Sequence, residues 1–551
     1  MAGGLLNLIS TGNNNIFLTG NPSKTFFKVT YAKYTNFGLQ KFRIDYDGLR
    51  DLRLTEPSTF TFKMPRYAEL LMDTYLVINL PTIWSPIYNP CVQTVNQWAP
   101  YDFRWIRELG TSMITEVLIT CGSQTIQKYS GDYLRAMVER DFSAEKKELF
   151  DEMTGNVPEL NDPANAYSRL NAYPSAYYYG DGVTSEPSIR ARKLYIPINT
   201  WFTLDSRCAF PMISLQYNEL TVSITMRPIQ ELFQVRDVWD TANNFPYIQP
   251  DFNQPQFNMY QFLQSPVRDL SQPLVYPWPI QNNTWNADVH LLSTYCFLTP
   301  EETRKFAAED QVYLVKDVFD YTFQNVTGAK KVQLTSSGMV SSWMMYLQRN
   351  DVNMRNEWSN YTNWPYKNLP VDIQIAPIDP ETNYGPGGNP TTGGAPQIST
   401  GIFTTGPLAP QNQKEILETM AIVLNGDYRE NVMEAGIYNY VEKYVRTRGC
   451  AKDGLYCYNF CLNTDPLEYQ PSGAVNLSRF RLVELELTTF VPPFDIQNSE
   501  YNILCDGNGN PIGTTKNNWQ LFEYNYNLRV FEERYNILSF VGGNCGMLYA
   551  R

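Results

Sequence analysis

The stretch Phe522-Glu523-Tyr524-Asn525-Tyr526-Asn527-Leu528-Arg529-Val530 sets an apolar or aromatic side chain at every second position and a polar one between. Successive side chains of a strand point to opposite faces, so this segment rests one face on a core and turns the other to water. The same period of two recurs along the chain. Phe60, Phe62 and Met64 are separated by Thr61 and Lys63, and Leu76, Ile78 and Leu80 keep that spacing. Leu220, Val222, Ile224 and Met226 alternate with Thr221, Ser223 and Thr225, and Val483, Leu485 and Leu487 with Glu484 and Glu486. Antiparallel sheets packed on one side read this way, which makes the chain mainly β.

Composition agrees. The 551 residues include 38 Tyr and 29 Phe, which suit pleated, half-buried surfaces, and 36 Pro, which would break long helices. That length exceeds one ordinary core, so two domains, or a few smaller ones, are expected. Charged residues are 18% of the chain, against roughly 25% in an average soluble domain. A surface so poor in charge fits a protein buried in many lateral contacts. The net charge of −12 argues against direct packaging of nucleic acid, because neutralising phosphates takes Lys and Arg. Nine cysteines lack a CxxC pair, and residues 1–10 lack the basic region of a secretory signal. Free thiols in a reducing cytoplasm are therefore expected. Ala2 stands where myristoylation would need Gly. The most apolar stretch, 70–84, is interrupted by Asp73, Asn79 and Pro81, so no membrane span is expected.

Helices are few. Residues 132–153 have helix-forming composition, and Thr299-Pro300-Glu301-Glu302 reads as a capping box with Pro at the first helical position. That second helix should last two to three turns, since 312–323 reads as extended. Residues 156–187 and 377–410 are loop-like, and 239–281 carries seven Pro without a clean period. The expected division is an N-terminal arm (1–24), a first domain (25–238), a linker (239–284) and a second domain (285–551). A long exposed loop, 350–410, interrupts the last of these. Pro211 precedes the strand at 220–226 as Pro471 precedes that at 483–487, a faint duplication half a chain apart.

Chemistry is sparse. Catalysis usually needs a tunable acid or base, and His290 is the single histidine, set in Val289-His290-Leu291-Leu292 at the start of a strand. No GxSxG elbow or GxxxxGK[ST] loop is present. Gly507-Asn508-Gly509-Asn510-Pro511-Ile512-Gly513 reads as a turn between strands. Cys450, Cys457 and Cys461 do not have the spacing of a zinc finger, and buried free thiols are the better reading. Asn282, Asn325, Asn360 and Asn476 begin N-x-[ST] sequons, taken as chance occurrences without a secretory signal. No catalytic, cofactor-binding or metal-binding residue is expected, and the chain reads as a non-enzyme.

Five motifs resemble the major capsid proteins of nucleocytoplasmic large DNA viruses, the group that includes mimiviruses and phycodnaviruses. Leu18-Thr19-Gly20-Asn21-Pro22 runs into Thr25-Phe26-Phe27-Lys28-Val29, Tyr31 and Thr35-Asn36-Phe37. Phe210-Pro211-Met212-Ile213-Ser214-Leu215-Gln216-Tyr217-Asn218-Glu219-Leu220 is similar to the strand-turn-strand that closes the family's first jelly roll. Glu302-Thr303-Arg304-Lys305-Phe306-Ala307, then Gln470-Pro471-Ser472-Gly473 with Asn476-Leu477-Ser478-Arg479, and finally Tyr535-Asn536-Ile537-Leu538 before the Gly-rich end follow in the family's order.

The resemblance implies two eight-stranded antiparallel jelly rolls and homotrimeric capsomers of pseudo-hexagonal outline that tile an icosahedral virion shell. It also implies neighbouring capsomers and minor capsid proteins as partners, and synthesis and assembly in the host cytoplasm. The N-terminal arm is expected to dock on a neighbouring capsomer, a minor capsid protein or the internal membrane. Two rivals remain open: a β-sandwich carbohydrate-binding protein, and a minor or penton capsid component.

Overall fold

The computed structural model describes residues 34–549 except 86, 89–98, 179–184, 238–239, 241–245, 266–279, 368–412, 451, 469, 496–500 and 517–520. The alternating stretches are strands. Leu220–Met226 buries every second side chain and leaves those between half-exposed, and Val483–Thr489 does the same.

The first half contributes β1 (Gly38–Asp45), β2 (Ser58–Lys63), β3 (Leu70–Leu80), β4 (Ile114–Cys121), β5 (Gln124–Tyr129), β6 (Arg192–Pro197), β7 (Phe210–Pro211), β8 (Leu220–Met226) and β9 (His290–Phe297). They form two antiparallel sheets, β1-β9-β3-β6 with β7 beside β3, and β2-β8-β4-β5. The second half contributes β10 (Gln311–Phe323), β11 (Ala329–Leu334), β12 (Met339–Arg349), β13 (Leu417–Leu424), β14 (Asp427–Glu434), β15 (Leu455–Asn459), β16 (Val475–Asn476), β17 (Val483–Thr489) and β18 (Tyr526–Val541). Its sheets run β10-β18-β12-β15 with β16 beside β12, and β11-β17-β13-β14. Each first-half strand therefore holds the sheet position of the strand nine places later. The duplication hinted at by Pro211 and Pro471 extends over both sandwiches, and the fold is a double jelly roll.

One core lies between the first pair of sheets, with Phe60, Phe62, Ile78, Ile119, Val222 and Ile224. The second holds Trp343, Met345, Ile422, Leu485, Tyr526 and Leu528. The first core continues beyond its own sandwich to Val315, Val318, Met344, Tyr346 and Phe531, on the outer face of β10-β18-β12. Consequently β12 is buried on both faces, and Trp343-Met344-Met345-Tyr346-Leu347 shows no alternation.

Several expectations change. His290–Phe297 falls in the stretch assigned to the second domain, yet it pairs with β1 and β3 of the first. Residues 246–265, inside the expected linker, place Phe257, Met259 and Phe262 in the first core. They do so from 3-10 turns, which have no long period to read. Residues 350–367, expected as exposed loop, bury Asn356, Glu357, Ser359, Asn360 and Asn363. Hydrogen bonds hold such polar groups, so a polar composition misled the reading. Residues 1–24 and 377–410 lie outside the described residues.

The helix expected at 132–153 is two helices, α1 (Gly131–Asp141) and α2 (Ala144–Thr154). The hydroxyls of Ser130 and Ser143 cap them by accepting from the Tyr133 and Lys146 N–H groups. Residues Pro300–Ala308 form α3 with Pro at its start, but no capping box closes. Instead the Glu302 carboxylate accepts from the Thr35 hydroxyl at 2.7 Å.

Candidate functional site

The site is the seam where the two sandwiches meet, and α1 lies in it. Leu134, Ala136, Met137 and Val138 are buried there, and the Tyr133 ring meets Phe531 edge-on at 5.7 Å. Gly131 starts the helix because a Cβ would lie 1.9 Å from the Thr111 carbonyl oxygen. At the other end the Gly449 N–H donates to the Arg140 carbonyl at 2.8 Å, and a Cβ on Gly449 would meet that carbonyl oxygen at 2.5 Å.

Charge is buried at this contact. Arg140, 1% exposed, donates to Asp141 at 2.7 and 3.0 Å, to Glu533 of β18 at 2.9 Å and to Ser342 of β12 at 3.0 Å. The Tyr133 hydroxyl donates to Glu533 at 2.9 Å, the Ser342 hydroxyl at 2.8 Å, and Thr464 donates to Asp141 at 2.6 Å. Burial alone would raise the Glu533 carboxyl, but Arg140 and then Lys316 outweigh it and hold it below the usual carboxylate range. Asp141 goes the other way: burial raises it despite Arg140.

A second buried cluster joins Glu108, before the first sandwich's α1, to Lys452 of the second at 2.9 Å. Arg135 adds Glu108 at 3.6 Å and Glu139 at 2.5 Å, and also pairs with Asp151. Burial pulls Lys452 down to about 8, against the pull of Glu108. This second cluster lines a cavity of about 340 Å³ whose wall also includes Lys147, Asp151, Tyr361 and Lys414. Third, residues 350–367 strap β12 to the first sandwich. Asn356 Nδ2 donates to the Gln230 and Phe233 carbonyls at 2.8 Å, and the Trp358 indole to the Glu231 carbonyl at 3.0 Å.

Buried ion pairs add little net stability over an apolar contact, but they fix one orientation, since any other leaves a charge unpaired. The seam thus joins the two sandwiches through buried charge, apolar packing and hydrogen bonds. Asp102 is less fully paired. Its carboxylate has Arg236 at 3.3 Å, one oxygen unpartnered, and burial pushes it up to about 6.

The residues singled out from sequence lie elsewhere. His290 is buried on β9, its Nδ1 2.6 Å from the Asp288 carbonyl, and burial lowers its pKa. Cys457 and Cys461 are buried, and burial pushes the Cys457 thiol up to about 11. Cys450 is exposed, against expectation, because it sits in the turn after the helix that precedes β15. Among the described residues no three His, Cys, Asp or Glu converge as metal ligands. Residues 506–510 turn between the strands Tyr501–Cys505 and Pro511–Lys516, so the turn ends before Gly513, with Asp506 accepting from the Asn508 and Asn510 N–H groups. Asn360 is buried and donates to the Trp364 carbonyl, so its sequon is closed to modification. Asn282 and Asn325 are exposed, and Asn476 caps a 3-10 turn.

Sequence reasoning missed Arg140, Glu533, Glu108 and Lys452. A signal existed for one. Glu532-Glu533-Arg534 interrupts an alternating run, and a strand cannot solvate three consecutive charges when apolar neighbours on both sides are buried.

Two family models match the chain: "Major capsid protein N-terminus" over 25–264 and "Large eukaryotic DNA virus major capsid protein" over 302–546. The chain is 23% identical to the major capsid protein of Phaeocystis pouchetii virus, covering 100% of both. It is 24% identical to that of Paramecium bursaria Chlorella virus 1, again over 100% of both. Among solved structures, it resembles the Faustovirus major capsid protein at a TM-score of 0.58 and 13% identity, covering 98% of each chain. A chain of the PBCV-1 virus capsid quasi-atomic model gives 0.59 at 17% identity, covering 96% of this chain and 100% of that one.

Proposed function

The chain belongs to the major capsid proteins of large eukaryotic DNA viruses and is a structural protein of the virion capsid; from this premise we propose that three copies close into a six-cornered capsomer. Two sandwiches of one topology in each chain give a cyclic trimer six similar corners, so a threefold object can tile as a hexagon.

One observation carries the reading. In the first sandwich α1, which lies between β5 and β6, docks on the outer sheet face of the second. In the second, the helix between β14 and β15, α4, is a π turn (Ile437–Val441) continued by Glu442–Arg446. It leaves Ile437, Tyr440, Val441, Tyr444 and Val445 exposed, spaced three and four apart as on one helix face. By the internal symmetry, its counterpart surface is the outer face of β1-β9-β3-β6 on the next copy. Leu39 and Tyr195 stand exposed on those strands.

In this reading the first unit runs through β9 and the second begins near α3. Minor capsid proteins and neighbouring capsomers are the further partners, residues 1–24 dock on them or on the internal membrane, and assembly takes place in the host cytoplasm. The capsomer has no catalytic, cofactor or metal residues and does not touch nucleic acid directly. Sedimentation velocity tests the trimer. The wild type should sediment as a trimer at micromolar concentration and Tyr444→Asp should shift toward folded monomer on dilution, whereas a monomeric wild type would refute the proposal.

A further inference from the structure

The C-terminal end of the chain is clasped to the first sandwich. Asn544–Met547 turns back on β18 as a short antiparallel strand. The Gly543 carbonyl accepts from the Gln216 and Tyr217 N–H groups at 3.0 and 3.3 Å, and a Cβ on Gly543 would meet Gln216 at 2.9 Å. On the facing side, Cys121 ends β4 and is paired across the hairpin with Gln124. With its amide turned to suit both neighbours, Gln124 donates to the Cys545 carbonyl at 3.2 Å and accepts from the Met547 N–H at 3.1 Å. This brings two buried free thiols, Cys121 and Cys545, side by side in one core cluster.

Each thiol perturbs the other, Cys121 being held below the ordinary thiol range and Cys545 above it; Arg66 pulls Cys121 the same way. Cys121 is thus the readier thiolate, and the thiolate is the form that reacts.

We propose that Cys121 and Cys545 are an oxidation site that closes into a disulfide, sealing the C-terminal clasp to the first sandwich once the protein leaves a reducing compartment. The enclosed position suits a small oxidant, hydrogen peroxide. The Cys121 thiolate attacks one peroxide oxygen, the O–O bond breaks, and the departing hydroxide takes a proton to become water. The resulting sulfenic acid is then attacked by the Cys545 sulfur, which loses its proton. The S–S bond forms, and the S–O bond breaks to release a second water. Two thiols are oxidised and one peroxide is reduced.

The test uses the full chain in its native state. Purified protein is treated with graded peroxide, unfolded in an alkylating reagent and digested without reductant for mass spectrometry. The expected product is a linked peptide pair holding Cys121 and Cys545, two hydrogens lighter than the separate peptides. It should form at peroxide doses no higher than those that oxidise exposed Cys450 and Cys505. In a mixture of isotope-labelled and unlabelled chains the pair should be uniform in label. Thermal unfolding of the oxidised wild type should shift upward, and that of Cys545→Ser should not. Recovery of both cysteines as alkylated or over-oxidised residues, or a pair of mixed label, would overturn the proposal.

Discussion

Two helices occupy corresponding places in the two sandwiches and meet opposite environments. In α1, the side chains from Tyr133 to Asp141 are all buried, charged ones included, because β12 and β18 lie over them. In α4, Tyr444 is 91% exposed and Val445 63%. The topology that surrounds them is the same, so the difference lies in what covers each. The first sandwich finds its neighbour within the chain, and in the proposed trimer the second finds one in another copy. Apolar rows on monomers rarely go uncovered. The comparison sets one contact already made within the chain beside an exposed helix face that the proposed trimer would cover.

The made contact should be the costlier to break. Glu533→Ala removes one of the two carboxylates paired with Arg140 in the seam and leaves the Tyr133 and Ser342 hydroxyls without their acceptor; it is expected to cost about 3–5 kcal/mol, read from chemical denaturation. The Glu533 carboxyl is held below its unfolded value, so its contribution is present above the unfolded pKa. It is lost as pH falls through the folded one, and the deficit of the variant should shrink in acid.

Tyr444→Asp addresses the exposed face. It should leave monomer stability within about 0.5 kcal/mol, as surface changes do. It should also weaken association by about 2 kcal/mol, the scale of a buried aromatic anchor, in concentration-dependent sedimentation. Destabilisation of the monomer instead would mean that α4 is already covered.

Asp102 sharpens the comparison from inside, being buried charge without the seam's full pairing. Its folded pKa of about 6 lies above the ordinary 3.8, so the folded state holds the proton more tightly. Its contribution to stability therefore falls as pH rises from about 4 to about 6. Asp102→Asn should be more stable than wild type at pH 7 by about 1–2 kcal/mol, and the gain should fade toward pH 4 in thermal melts. The smallest effect belongs to Glu56→Ala. Its partner Arg53 lies 3.1 Å away with both side chains about two-thirds exposed, and the change should stay under about 0.5 kcal/mol in denaturation.

Much of the fold was legible because strands with one wet face announce themselves. Leu220–Met226 and Val483–Thr489 alternate in burial as they do in sequence. The double jelly roll and the capsid family followed from motifs rather than from periodicity. What stayed hidden was whatever the seam covers. Trp343 to Leu347 loses its alternation because both faces are dry, and Arg140 and Glu533 look like surface residues because charge usually is. Polar residues 356–363 were read as loop although their hydrogen bonds are made inside the protein. A sequence states what each residue prefers alone, and a buried ion pair exists only as two residues some 390 positions apart.

The central claim is that α4 repeats, between copies, what α1 does within one. Single-particle imaging of the purified protein tests it most directly. The account predicts threefold particles of six-cornered outline in which α4 lies against the outer face of β1-β9-β3-β6 of the next copy. Particles without threefold symmetry, or threefold ones that leave Tyr444 facing solvent, would contradict it.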